Sequence, residues 1–98
     1  MIIPETVKIG YKDYAVEIVP QIDDGTNELY GECTYDIEKI RLCARYPVNQ
    51  QKCTLIHELI HALDDMYHVG LSEKQTIRLG KGLYQMIKDN PIMFEKKS

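Results

Sequence analysis

The stretch Cys53-Thr54-Leu55-Ile56-His57-Glu58-Leu59-Ile60-His61-Ala62-Leu63 carries the spacing His-Glu-x-x-His. On an α-helix, residues four apart lie one above the other on one face, about 6 Å apart along the axis. Two imidazoles so placed can converge on one ion, at Zn–N distances of about 2.0–2.1 Å. Glu58, next to the first of them, then points beside the metal, where a carboxylate can polarise a metal-bound water. That is the layout of a zinc hydrolase. In a chain with 3 histidines the spacing arises by chance in only about 0.7% of cases. Leu55, Ile56, Leu59, Ile60, Leu63 and Met66 add the apolar period of a buried helix. His57 and His61 are therefore expected to hold zinc, with Glu58 as the base.

Pro47 and Asn49 mark the start of this helix, which the pattern places at about residues 48–67, with Asn49 as a candidate cap. Gly70 breaks it. Ser72 and Gln75 form a capping box that opens a second helix running to about Asp89, where Asn90-Pro91 stops it. Its inward face reads Ile77, Gly80, Leu83/Tyr84 and Ile87. Gly80 and Gly82 each cost a helix about 1 kcal/mol relative to Ala; close approach to the motif helix is the expected return. Ile92-Met93-Phe94 is expected to tuck against the core, leaving residues 91–98 as a short tail with a charged, frayed end.

Ahead of the motif, Thr6–Ile9 and Tyr14–Ile18 alternate around the turn residues Gly10-Tyr11-Lys12-Asp13. Opposing Ile9 to Tyr14 and Val7 to Val16 gathers the apolar side chains on one face. Pro20 closes the second strand, and Asp23-Asp24-Gly25-Thr26-Asn27 is a polar loop. Leu29, Gly31, Cys33 and Tyr35 then share one face, and Ile40, Leu42 and Ala44 form the matching one, with Tyr35 opposite Ile40 and Cys33 opposite Leu42. In this register Cys43 faces away from Cys33, which disfavours a disulfide. Four strands followed by two helices predict an α+β domain over residues 1–98: one antiparallel sheet with helices on a single face.

Composition narrows the class. The chain has 98 residues, 44% hydrophobic and 28% charged, which is ordinary for one globular domain. A net charge of −3 gives no footprint for nucleic acid. No run approaches the roughly 18 apolar residues of a membrane span, and Met1-Ile2-Ile3-Pro4-Glu5 does not read as a signal peptide. The 3 cysteines lack metal-ribbon spacing, and reduced thiols fit the cytoplasm.

Zinc held by two imidazoles needs a third protein ligand, leaving the fourth position for water. His68 falls on the right face but nine residues past the level of the metal, about 13 Å along the axis. The arrangement with Gly three and His six residues beyond the second ligand fails, because Asp64 and Tyr67 stand there. Glu73 opens the second helix. A tight hairpin would bring residue 80 level with the metal, so Glu73 arrives only if residues 68–72 return extended, a span of about 16 Å. Asp23, Asp24 and Glu28 are further candidates. Asp64 or Asp65 could accept an imidazole's other N–H; as a direct ligand, Asp65 is a turn too far. Tyr30, Tyr35, Tyr46, Tyr67 and Tyr84 are candidates to stabilise an oxyanion, with core packing the competing role for each.

The helix His57-Glu58-Leu59-Ile60-His61, with Glu73-x-x-Thr76-x-x-Leu79-Gly80 after it, resembles the ImmA/IrrE-type zinc metallopeptidases. There the motif helix is followed by one reading Glu-x-x-Ala-Asn-x-Phe-Ala, whose Glu completes the zinc site. Small phage- and prophage-encoded metallopeptidase-like proteins are similar through Leu83-Tyr84-Gln85 and Lys88-Asp89-Asn90-Pro91 as well. Ile60 stands where the family often has Gly, and Thr76-Ile77 where it has Ala-Asn. The resemblance covers about residues 53–91. It implies a minimal gluzincin-like fold, Glu73 as third ligand, and cleavage of a regulatory protein such as a repressor. A non-catalytic zinc-stabilised module and a small-molecule zinc amidase are the competing expectations.

Overall fold

The computed structural model describes residues 1–94; the charged end expected at residues 95–98 lies outside the described residues. The architecture is α+β, a four-stranded sheet followed by two helices. The strands are β1 (Thr6–Ile9), β2 (Lys12–Val19), β3 (Gly31–Thr34) and β4 (Lys39–Cys43); the helices are α1 (Val48–Tyr67) and α2 (Glu73–Asp89). A 3-10 turn, Pro91–Phe94, follows.

The sheet runs β1-β2-β4-β3, and its central pair, β2 with β4, is parallel. An antiparallel sheet throughout was the expectation. The difference lies in the loop after β2. Residues 20–30 pass over the end of the β4 slot and start β3 on the far edge, and β4 then returns into the gap. Two backbone bonds close that end, Cys43 N–H to the Tyr30 carbonyl at 2.9 Å and Ala44 N–H to the Val19 carbonyl at 2.8 Å. Ile22 is the buried anchor of the loop.

Both hairpins sit two residues away from the expected register. Val7 pairs with Tyr14 and Ile9 with Lys12, so the turn is only Gly10-Tyr11. Gly10 has φ +61°, which a tight two-residue turn requires at its first position and glycine supplies cheaply. In the second hairpin Cys33 opposes Ile40 and Gly31 opposes Leu42. Shifts of two preserve the faces, because side chains alternate with period two. Ile9, Tyr14, Ile40 and Leu42 therefore all reach the core, where Leu55 and Ala62 of α1 meet them. On the opposite face charges form a ladder: Glu17 pairs with Lys39 and Arg41, and Arg41 with Glu32. Cys33, Cys43 and Cys53 are all free thiols.

α1 has the expected bounds, but Pro47 is its N-cap with no side-chain cap bond, and Asn49 plays no such part. At the start of α2 the Ser72/Gln75 capping box is complete. Only Thr76 and Gly80 of α2 are buried, and Ile77 is 40% exposed. Ile92, Met93 and Phe94 do not tuck inward; each is more than half exposed. The turn that carries them packs on α2 alone among the described elements, beyond the reach of the sheet.

Candidate metal centre

α1 crosses the sheet with one stripe buried, which turns His57 and His61 toward the gap before α2. Two glycines let the elements close up. A Cβ on Gly80 would stand 3.5 Å from the Cα of His57, so α2 approaches the motif helix backbone to backbone. A Cβ on Gly31 would lie 2.6 Å from the Thr54 methyl, so the edge strand β3 presses equally close to α1. Gly82, also expected to serve close approach, faces open space.

Glu73 reaches the two histidines by an extended return. His68 caps α1 in the left-handed conformation, at φ 52° and ψ 49°. Asp64 then binds the returning chain: its carboxylate oxygens accept the N–H of Gly70 at 2.7 Å and of Leu71 at 3.3 Å. Ser72 is extended and caps α2, placing Glu73 at the first helical position.

The three expected ligands come together. His57 Nε2 lies 3.1 Å from Glu73 Oε1, His61 Nε2 3.3 Å from Glu73 Oε2, and the two imidazole nitrogens 3.2 Å apart. Donors held about 2.0–2.1 Å from a tetrahedral centre stand about 3.3–3.4 Å from one another. Hydrogen bonds alone serve this triangle poorly. If both Nε2 atoms carry protons for Glu73, they meet each other as two donors; if one gives its proton up, it loses its bond to the carboxylate. A shared cation removes the conflict, and the three residues form a group that can hold a metal ion. His57 is suited to it: burial, then the neighbouring His61, keeps its pKa below the ordinary value, against the opposing pull of Glu73.

Glu58 lies in the same cleft and is only 7% exposed. Burial, then the carboxylates of Glu73 and Glu32, pushes its pKa up to about 7. A carboxyl poised there exchanges a proton readily near neutral pH. The cleft is about 600 Å³ and runs from Glu28, Leu29 and Tyr30 across the histidines to Ile77 and Lys81.

The other candidates lie elsewhere. His68 is exposed at the α1 C-cap and, among the described residues, joins no metal-holding group. Asp23 and Asp24 accept backbone N–H groups of their own loop. Glu28 reaches the cleft, but Arg45 holds its carboxylate at 2.7 Å. Neither Asp64 nor Asp65 has an imidazole partner: Asp64 holds the loop, and Asp65 pairs with Lys12 at 3.5 Å. Of the five tyrosines only Tyr30 lines the cleft, its ring 4.2 Å from that of Tyr46. Sequence reasoning overlooked Cys53, Gln50 and Ile77 as cleft residues. Cys53 was within reach of it, since it precedes His57 by four and shares its face.

Among the described residues no helix is long and apolar enough to cross a membrane. Comparison of the chain with protein-family models, with curated proteins and with solved structures finds no match.

Proposed function

We propose that this chain is a zinc-dependent metallopeptidase of the ImmA/IrrE kind, acting in the cytoplasm on a protein substrate such as a repressor-type regulator. The observation that carries the proposal is the triangle of His57, His61 and Glu73 donors, 3.1–3.3 Å on each side, with buried Glu58 in the same cleft. Two imidazoles and a carboxylate are the donor set of catalytic zinc, which leaves a fourth position open. Zinc held there would polarise a peptide carbonyl and make water acidic. Glu58 takes the proton of the attacking water and delivers it to the leaving amine. A cleft of about 600 Å³ leaves room for a few residues of an extended substrate.

The test is metal analysis combined with cleavage assays on a protein, a peptide and a small amide. The wild-type chain should hold about one zinc and cleave the protein or peptide. Glu58→Gln should keep the zinc and lose about 10²–10⁴ in rate. Zinc binding without cleavage of any of the three would reject the peptidase, and cleavage of the amide alone would make it an amidase.

A further inference from the structure

The apolar arc of α2 is wider than its contact with α1. Thr76 and Gly80 face the motif helix, and Ile77 faces the cleft. The opposite flank is turned away from the body of the protein. There Leu71, Leu79, Leu83 and Met86 line a groove of about 440 Å³ with Gln75, Arg78 and Gly82. Leu79 is 46% and Met86 40% exposed, and a Cβ on Gly82 would meet nothing within 4 Å. A helix flank rich in leucine with a glycine at its centre offers a partner helix close approach. Contiguous exposed apolar surface of this kind marks an interaction site more often than a bare monomer surface.

Charge placement indicates which partner fits. Arg78 lies on one edge of the flank in the first half of α2, and Asp89 lies on the same edge in the second half. In a two-fold antiparallel helix pair, each edge meets its own counterpart running the other way. When Leu79 opposes Met86 of the second copy, the two Gly82 residues meet beside the two-fold axis, and Arg78 falls between Gln85 and Asp89 of that copy. The apolar and the charged pairings thus agree on one register. Among the described ion pairs none involves Arg78 or Asp89; Asp89 accepts only from Gln85 of its own helix.

We infer that the protein forms a two-fold dimer in which the Leu79–Leu83–Met86 flank of α2 packs antiparallel against the same flank of a second copy, with Arg78 of each chain paired to Asp89 of the other. A helix-sized interface of this kind is small, so dissociation falls in the micromolar range. The histidines, Glu58 and the cleft lie on the other side of α2 and stay open.

Sedimentation of the purified chain from about 1 µM to about 1 mM tests the inference. The mass should double from 11.4 kDa across that range. Leu79→Glu, at an exposed position, should hold the chain monomeric while its circular dichroism is unchanged. Arg78→Glu and Asp89→Arg should each weaken the dimer about tenfold, because the two-fold counts each pair twice. The double exchange should restore it, which no surface other than this register would do. A chain monomeric throughout, including one whose groove serves a different protein, overturns the inference. So does a dimer that Leu79→Glu leaves intact.

Discussion

The Asp64 carboxylate accepts the Gly70 N–H at 2.7 Å, and this bond sets where α2 begins. Six residues separate the two, and nine separate Asp64 from Glu73, so an acid in the last turn of α1 positions the carboxylate that opens α2. Asp64→Ala should therefore weaken zinc binding about tenfold, as loss of an outer support does. Asp64→Asn keeps one of the two acceptors and should lose less. Zinc titration of both variants checks the order.

Zinc binding should stabilise the fold. At about 100 times its dissociation constant the ion adds about 2.7 kcal/mol, or about 10–20 °C in melting temperature for a domain this size. Calorimetry with and without chelator should show this for wild type and for His68→Ala. His57→Ala, His61→Ala and Glu73→Gln should lose most of it. A shift kept by Glu73→Gln would remove Glu73 from the site.

Glu58 should make the metal-free protein less stable as pH rises. Its native pKa of about 7 lies above the ordinary 4.5, so the folded state holds a proton that the unfolded chain has released. The contribution is complete below about pH 4.5 and is lost as pH climbs through about 7, at most about 3 kcal/mol. His57, with its lowered pKa, works in the opposite sense, losing stability as pH falls below its ordinary value. Urea unfolding of wild type and Glu58→Gln at pH 5 and pH 7.5, in chelator, isolates the carboxyl. Between pH 5 and pH 7.5 wild type should lose about 2 kcal/mol relative to Glu58→Gln, whose side chain stays neutral; an unchanged difference would show that the carboxyl is not perturbed.

Gly31→Ala should cost about 1–3 kcal/mol through overpacking, since the new methyl would meet the Thr54 methyl at 2.6 Å and the Arg41 carbonyl at 2.9 Å. Adding Thr54→Ser removes the first clash and keeps the hydroxyl that accepts from Gln50. Recovery should be partial, because the Arg41 backbone cannot give way. Full recovery would mean the carbonyl contact is harmless.

Tyr14 is fully buried, and its hydroxyl has no hydrogen-bond partner among the described residues. Burial, helped by Cys33 and Asp65 nearby, pushes its pKa up to about 12, so it stays a neutral phenol. Tyr14→Phe should stabilise the protein by about 1 kcal/mol, because it removes an unpaired polar group and keeps the ring. A lower melting temperature would show that the hydroxyl is satisfied in solution.

What the sequence disclosed was local. The bounds of α1 and the capping box of α2 depend on residues within one turn of each end, and they could be read directly. Strand faces were legible because alternation fixes them; registers were not, because a shift of two leaves every face unchanged. Gly10 could signal a tight turn, but Glu38, at φ 52°, gives no such sign. The parallel contact of β2 with β4 depends on where a polar loop travels, which no short pattern encodes. His57, His61 and Glu58 announced themselves by spacing. Glu73 joined them by a route hidden in Asp64, an acid equally suited to holding an imidazole.

The strand order bears on how the chain assembles. β1 with β2 and β3 with β4 are hairpins whose partners are adjacent in sequence, and each closes over a short turn. Only the β2–β4 seam joins them, with Val19 pairing Cys43. The sheet is thus two small pieces sewn along one parallel line, and completing that seam, rather than forming either hairpin, sets the pace of folding. A cut at Gly25, exposed in the loop that crosses the seam, would leave two fragments with complementary edges, able to find each other as separate chains.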